Sequence, residues 1–145
     1  PGVTEPEIQR MQTTDLPEAL RLDTECLSRP WSVGVWREEL QSPYSKYFAI
    51  WDEGRIVAQI GVKTILDEMH VMTLAVHPDY RRQGYARALV NTVLQDNPQA
   101  RSLYLEVRTS NVAARSLYES LGFGSMAQRP GYYGDEDAIL MTLTL

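Results

Sequence analysis

The strand–loop–helix segment from Met69 to Leu94 constrains the fold of this 145-residue chain more than any other feature. Residues 69–76 form a strand-like run, and the pair His77-Pro78 marks the turn that ends it. The helix that follows has apolar residues at i, i+3, i+4, i+7 and i+8 spacing, namely Ala86, Leu89, Val90, Val93 and Leu94. A short loop between strand and helix leaves backbone N–H groups available at the positive end of the helix dipole. The segment therefore predicts an anion site, with phosphate as the natural ligand.

The loop itself combines positive charge with small residues. It consists of Arg81, Arg82, Gln83, Gly84, Tyr85 and Ala86. Arginine supplies charge and forked donors that match phosphate oxygens. The loop lacks the Gly-Lys-Ser/Thr ending of a nucleoside-triphosphate P-loop and the three-glycine pattern of dinucleotide folds. On the loop alone, a surface turn with solvated arginines stays open, so the downstream residues decide its meaning.

Two motifs follow the predicted helix. Residues 103–108, Leu-Tyr-Leu-Glu-Val-Arg, alternate with a period of two and predict a strand whose polar face carries Glu106. Residues 110–123, Ser-Asn-Val-Ala-Ala-Arg-Ser-Leu-Tyr-Glu-Ser-Leu-Gly-Phe, predict a helix with an N-cap at Ser110 or Asn111. Gly122 is placed to end this helix.

Taken in order, these motifs resemble the RimI-like branch of the GCN5-related N-acetyltransferase (GNAT) superfamily, the bacterial protein N-terminal acetyltransferases. The resemblance includes Pro30-Trp31-Ser32, Leu74-Ala75-Val76 and Tyr132-Tyr133, and it runs from about residue 12 to residue 143. It implies one N-acetyltransferase domain over residues 1–145, with acetyl-coenzyme A (acetyl-CoA) as the acetyl donor. It also implies the GNAT fold, an α/β fold with a mixed, mostly antiparallel central sheet and helices on both faces. The predicted order β, α, α, β, β, β, α, β, α, β, β agrees with that fold. Within this order, Asp15 is expected to cap the first helix, Asp52-Glu53-Gly54 to form a hairpin turn, and Ser102–Arg108 to form a strand.

The resemblance assigns two catalytic roles. Glu106 matches the general base of the family's Leu-Glu-Val-Arg motif, and Tyr118 matches the tyrosine that protonates the leaving thiolate. The residues alone leave plainer interpretations open. Glu106 could be a solvated strand carboxylate, and Tyr118 lies on the apolar stripe of its helix, where a core aromatic is expected.

Binding roles come from the resemblance in the same way. It implies that the pyrophosphate of the coenzyme lies on the loop 81–86 and that the pantetheine arm lies along the backbone of Leu74, Ala75 and Val76. Asn111 matches an asparagine that contacts this arm, although helix capping alone would explain it. The remaining matches concern the acceptor site: these are Trp31, Tyr132 and Tyr133. The stretch after Tyr133 is shorter than in the bacterial pattern.

Composition excludes several other classes. The net charge of −5 and the absence of a long basic stripe argue against a nucleic-acid surface. No apolar run approaches the ~20 residues of a membrane span. The single cysteine cannot form an internal disulfide, and neither histidine has neighbours typical of a metal site or a nucleophile triad. No charged-plus-apolar leader is present, so we expect a cytoplasmic protein. We also expect no metal, and no pattern indicates an oligomeric state.

The sequence thus predicts acetyl transfer from acetyl-CoA to the N-terminal α-amine of a protein, with a ribosomal protein as one such acceptor. An α-amine has a pKa near 7.7–8.0, against about 10.4 for lysine, so a modest base suits it better. Acetylation of lysine side chains or small amines stays open within the same class. A catalytically silent acyl-CoA-binding module is the alternative from another class, and the presence of both Glu106 and Tyr118 argues against it.

Overall fold

The computed structural model describes residues 7–145, and the described residues form the predicted order of helices and strands. The elements are β1 (Ile8–Arg10), a 3-10 turn (Thr13–Asp15), α1 (Leu16–Cys26), α2 (Val33–Gln41), β2 (Ser45–Asp52), β3 (Arg55–Ile65), β4 (Glu68–Val76), a second 3-10 turn (Pro78–Tyr80), α3 (Tyr85–Asp96), β5 (Ser102–Arg108), α4 (Val112–Ser120), β6 (Gly124–Arg129) and β7 (Ala138–Thr144). In this part of the chain, no helix is both long enough and apolar enough to cross a bilayer.

The chain divides into two compact units. Unit 1 comprises the described residues through Lys63 together with Met72–Pro98, and unit 2 comprises Thr64–Val71 together with Gln99–Leu145. Strand β4 therefore contributes its first residues to unit 2 and its last residues to unit 1.

In unit 1 the strand order is β1-β2-β3-β4. Strands β1 and β2 are antiparallel, as are β2 and β3, and a register shift between Ile50 and Trp51 interrupts the second pair. The hairpin between β2 and β3 turns at Glu53-Gly54, where a turn was predicted. Tyr47 faces Gly61 across this hairpin, and a Cβ on Gly61 would overlap the Tyr47 ring. Glycine is therefore required there by close packing.

The core of unit 1 is built around buried aromatic residues. Trp36 is fully buried, and its ring lies 5.3 Å from that of Tyr47. Their polar atoms are satisfied by buried carboxylates, since the Trp36 Nε1–H donates to Asp23 Oδ2 over 2.9 Å and the Tyr47 hydroxyl donates to Glu39 Oε1 over 2.8 Å. A buried aromatic with a satisfied polar atom contributes both packing and orientation. These buried contacts therefore position α1 and α2, and with them the segment that joins the two helices.

In unit 2 the strand order is β4-β5-β7-β6. Strands β4 and β5 run parallel, with His70 opposite Tyr104, whereas β7 pairs antiparallel with both β5 and β6. The predicted alternation of β5 is confirmed, because Leu103, Leu105 and Val107 are buried. Their neighbours, including Glu106, lie on the partly exposed face of the strand.

Two local predictions differ from the structure. Asp15 stands at the N-cap position of α1 but makes no capping hydrogen bond, because its carboxylate accepts instead from the backbone N–H of Gln12, 2.8 Å away. The predicted apolar stripe of α4 is also only partly covered, since no residue within the helix is fully buried and Leu117 is 36% exposed. Helix periodicity identified this helix correctly but overstated how much of its apolar face is covered.

Candidate active site

The predicted phosphate loop lies in unit 1, where it leads into α3. Gly84 is the N-cap residue of α3 and has φ +80°, a left-handed conformation that glycine adopts without steric cost. A Cβ at this position would meet no atom within 4 Å, so the space beside the backbone is open. Arg82 also has a positive φ of 63°, which is uncommon for a residue with a side chain. Two residues of the loop thus have positive φ angles, and the space beside Gly84 is open.

This loop fits an anionic group such as the pyrophosphate of acetyl-CoA. No side chain caps α3 and no acidic residue lies in its first turn. The N-terminal N–H groups of the helix are therefore available to an anion, and its dipole is not neutralised by a carboxylate. Arg81 and Arg82 are exposed, and the Arg81 Nε–H donates to the carbonyl of Val76 over 3.2 Å. That bond ties the loop to the end of β4, where Leu74 and Val76 are partly exposed and Ala75 is buried.

Glu106 lies in unit 2 and has a partner that the sequence did not reveal. Its Oε2 atom is 2.5 Å from Nε2 of His70 on the neighbouring parallel strand. The two side chains are 10% and 25% exposed, respectively. The imidazole is stacked on the ring of Tyr104, with centroids 4.6 Å apart and planes 6° from parallel. Glu106 is therefore a nearly buried carboxylate with a defined orientation, in contrast to a solvated strand carboxylate.

The charge of this carboxylate acts on three tyrosines of unit 2. Burial raises the pKa of Tyr104, Tyr132 and Tyr133, and the negative charge of Glu106 raises each of them further. The three phenols therefore stay protonated at neutral pH and can act as hydrogen-bond donors. Tyr132 is 49% exposed, and its ring meets that of Tyr133 edge-on at 4.9 Å. The paired tyrosines thus provide an aromatic surface that an acceptor could contact.

Tyr118, on α4 of unit 2, packs as a core aromatic residue, and its role as the acid stays a prediction. Its ring packs edge-on against Phe123 at 5.9 Å, as a core aromatic would. Its side chain as a whole is partly exposed, yet burial around the hydroxyl raises the pKa to about 12, with a smaller contribution from Tyr133. Within residues 7–145 the structure gives this hydroxyl no hydrogen-bond partner. It is therefore a protonated donor that is not committed elsewhere.

Asn111 is the N-cap residue of α4. Its side-chain oxygen accepts from the backbone N–H of Ala114 over 3.2 Å. The capping interpretation is therefore confirmed for this oxygen. The predicted contact with the pantetheine arm stays a prediction, and the side-chain NH₂ would be the group that makes it.

The acidic residues after Tyr133 hold their own loop together. Arg108 lies over the Tyr133 ring at 4.3 Å and bonds Asp135 over 2.9 Å. Glu136 accepts from the backbone N–H of Ser110 over 2.6 Å, and bonding to Ser110 lowers the pKa of Glu136 to about 2. These carboxylates therefore fix the shape of the loop that carries the paired tyrosines, and they are not simply a solvated acidic turn.

Trp31 lies in unit 1, next to the aromatic core. Its ring is 5.0 Å from that of Trp36 and 6.4 Å from that of Tyr47, and its backbone N–H donates to Asp23 over 3.2 Å. It is partly exposed, so one side of the ring can still contact a ligand. Its packing could not be anticipated from a loop motif alone.

Sequence reasoning gave His70 no role, and the structure pairs it with Glu106. The signal existed in the alternation of β4, which places His70 on its partly exposed face. Using that signal would have required the parallel register of β4 and β5, in which His70 faces Tyr104. No local pattern specifies such a register.

Comparisons with known proteins identify the family. The family model described as the acetyltransferase (GNAT) family matches residues 16–123. The chain is 38% identical over 144 residues to the ribosomal protein bS18-alanine N-acetyltransferase of Escherichia coli strain K12, covering 95% of this chain and 97% of that protein.

Solved structures show the same fold. The crystal structure of the Escherichia coli ribosomal-protein-S18-alanine N-acetyltransferase matches with a TM-score of 0.86 and 37% identity, covering 97% of this chain and 94% of that one. Arabidopsis thaliana NAA60, solved in complex with acetyl-CoA, matches with a TM-score of 0.85 and 19% identity, covering 97% and 99% of the two chains. The predicted α/β GNAT fold, with a mixed and mostly antiparallel sheet, is confirmed. The chain belongs to the acetyltransferase (GNAT) family, as an N-acetyltransferase that uses acetyl-CoA.

Proposed function

We propose that this enzyme acetylates the N-terminal α-amine of a protein, and that a ribosomal protein of the bS18 type is its acceptor. The Escherichia coli relative is named for that acceptor, and the similarity extends over 95% of this chain. A ribosomal acceptor also implies a reaction in the cytoplasm. We further propose that residues 1–145 act as a single N-acetyltransferase domain.

Glu106 is proposed as the general base. An α-amine must lose a proton before or during its attack on the thioester carbonyl, and a carboxylate can accept that proton directly or through one water molecule. The supporting observation is that one oxygen of Glu106 is held by His70, whereas the other has no hydrogen bond within residues 7–145. An oriented carboxylate with one available oxygen is suited to a single proton transfer. This is the observation on which the proposed mechanism chiefly rests.

Tyr118 is proposed as the general acid. The amine nitrogen forms a bond to the acetyl carbon, and the tetrahedral intermediate then breaks its carbon–sulfur bond. The electron pair leaves with sulfur, which takes a proton from the Tyr118 hydroxyl. A pKa of about 12 keeps this proton in place until sulfur carries charge.

The loop 81–86 is proposed to hold the pyrophosphate of acetyl-CoA, and Leu74, Ala75 and Val76 to pair with the pantetheine amides through their backbone. The open space beside Gly84 and the uncapped start of α3 support the first assignment. Addition of an extended amide chain beside a strand is a common mode of recognition and supports the second. Asn111 is proposed to bind the same arm, and Trp31, Tyr132 and Tyr133 to contact the acceptor.

A pair of peptides tests the proposed acceptor. One peptide has a free N-terminal alanine and no lysine, and the other is the same peptide with its N-terminus blocked and one lysine added inside. We expect thiol release from acetyl-CoA with the first peptide and a much slower reaction with the second. Efficient reaction of the blocked peptide would favour the lysine alternative, and reaction of neither peptide would favour an acyl-CoA-binding module.

A further inference from the structure

His70 is the titratable side chain closest to the proposed base, and the sequence motifs give it no function. It lies near the start of β4, and Glu106 lies near the end of β5. An ionised carboxylate can only accept a hydrogen bond, so the Nε2 atom of His70 must donate to Oε2 of Glu106. A hydrogen bond that involves a charged group is stronger and more directional than one between neutral groups.

We propose that His70 is a positioning residue for Glu106, an inference that rests on Glu106 being the base. By donating to Oε2, the imidazole determines the rotation of the carboxylate and leaves Oε1 as the oxygen that takes the proton from the amine. The proton passes from the amine nitrogen to Oε1, while the Nε2–H bond to Oε2 is retained. His70 therefore acts through Glu106 and need not touch either substrate.

The ring of Tyr104 explains how a histidine can perform this task. Stacking at 4.6 Å with nearly parallel planes limits rotation of the imidazole, so that Nε2 stays directed at the carboxylate. Tyr104 and Glu106 are two residues apart on β5 and share one face of that strand. One strand thus supplies both the base and the ring that restrains its partner.

Other charged groups near the pair come from three neighbouring elements. Glu68 precedes His70 on β4 and acts on Tyr104, as does Arg129 of β6, while Arg108 follows Glu106 on β5 and contacts Tyr133. Within residues 7–145, none of these groups makes a hydrogen bond to Glu106, so His70 alone supplies a directed contact to the carboxylate. Loss of that contact should therefore misorient the carboxylate of Glu106, while the charged groups around it stay in place.

Two substitutions separate this role from a purely structural one. His70→Phe retains a flat ring to stack on Tyr104 but removes the donor, whereas His70→Gln supplies an amide N–H that can reach Oε2. We expect His70→Phe to lower kcat about 10- to 100-fold, the range that corresponds to a hydrogen bond with a charged group. KM for acetyl-CoA should stay within about twofold, and His70→Gln should recover most of the lost kcat. Equal kcat values for the two variants, or a loss confined to KM, would overturn the inference.

A double-mutant cycle shows whether His70 acts through Glu106. If it does, His70→Phe should have little further effect in a Glu106→Gln background, because there is no longer a base to position. Independent, multiplicative losses would refute the positioning role while leaving Glu106 as the base. A Glu106→Gln enzyme with full activity would instead overturn the proposed mechanism and this inference with it.

Folding is checked by thermal denaturation of every variant. Should His70→Phe fail to fold, the amides His70→Gln and His70→Asn carry the same test, because both are polar and only the longer one reaches Oε2. The inference then requires the glutamine enzyme to be at least about tenfold faster than the asparagine enzyme. Equal rates would refute it.

Discussion

Replacement of the proposed base by an amide is the most direct test of the mechanism. Glu106→Gln keeps the size of the side chain, and its carbonyl oxygen can still accept the hydrogen bond that His70 donates to Glu106 over 2.5 Å. The packing of β5 should therefore be unchanged, and acetyl-CoA binding should be retained. What is lost is the ability to take a proton from the amine.

The size of the effect follows from the role of a general base. Such groups contribute about 100- to 10,000-fold to the rate, which corresponds to roughly 2.7–5.4 kcal/mol of transition-state stabilisation. The structure favours a substantial loss of rate within that range. Among residues 7–145, no carboxylate other than Glu106 makes a hydrogen bond with His70, so none is held in the same position to replace it. The loss should be greatest at low pH. At pH 7 only roughly a tenth of an α-amine with a pKa near 8 is unprotonated, whereas at pH 9 most of it is.

The assay is the initial rate of thiol release with the lysine-free peptide, measured from about pH 6.5 to 9 for both enzymes. We expect the loss of kcat in the glutamine enzyme to shrink by up to about tenfold between pH 7 and 9, as the amine loses its proton to solvent, while the calorimetric affinity for acetyl-CoA is the same at each pH. A glutamine enzyme with near-normal kcat at pH 7 would refute the assignment of the base. A uniform loss at every pH would show instead that the carboxylate acts electrostatically and not as a proton acceptor.

Three further predictions concern other parts of the protein. Gly84→Asp should weaken acetyl-CoA binding about 100-fold or more, because a carboxylate would face the pyrophosphate; titration calorimetry measures this, and unchanged affinity would exclude the loop as the phosphate site. Tyr118→Phe should lower kcat by about 100-fold or more with almost no change in Tm, because its hydroxyl has no described partner; a full rate would exclude it as the acid. Glu136→Gln should remove part of the pH dependence of folding. Bonding to Ser110 lowers the pKa of Glu136 from 4.5 to about 2, so its contribution is complete above pH 4.5 and disappears as the pH falls towards 2. Urea unfolding at several acidic pH values measures this, and identical curves for the two proteins would contradict it.

Elements with a strong side-chain period could be predicted closely from the sequence. Strand β5 has the expected bounds, Ser102–Arg108. For β5, the alternation of apolar and polar residues needs no knowledge of distant partners, because it follows from the strand geometry itself. The N-cap of α4 was predictable for the same reason, since Asn111 bonds a backbone N–H only three residues away.

Features that depend on distant partners could not be predicted in this way. The His70–Glu106 contact joins residues 36 positions apart, and it exists only because β4 and β5 pair in one particular parallel register. Asp15 shows the reverse situation. Its type and position predicted a cap for α1, but a competing local bond to Gln12 engages the carboxylate. Local rules name the residues that can act, and tertiary pairing decides which of them meet.

The state of the proposed base bears on the choice of acceptor. A carboxylate that accepts a hydrogen bond on one oxygen can still take one proton on the other. Glutamate is a weak base, because the pKa of free glutamic acid is about 4.3. An α-amine requires little help at neutral pH, whereas a lysine amine is unprotonated in only about one molecule in a thousand or fewer. Within residues 7–145, Glu106 makes a hydrogen bond only with His70, which already donates to the carboxylate. The described residues therefore provide no second group that could carry the proton away from Glu106. The difference between the two test peptides should therefore narrow as pH rises towards the lysine pKa. A ratio that stays constant from pH 7 to about 10 would mean that the groove, and not the proton, selects the acceptor.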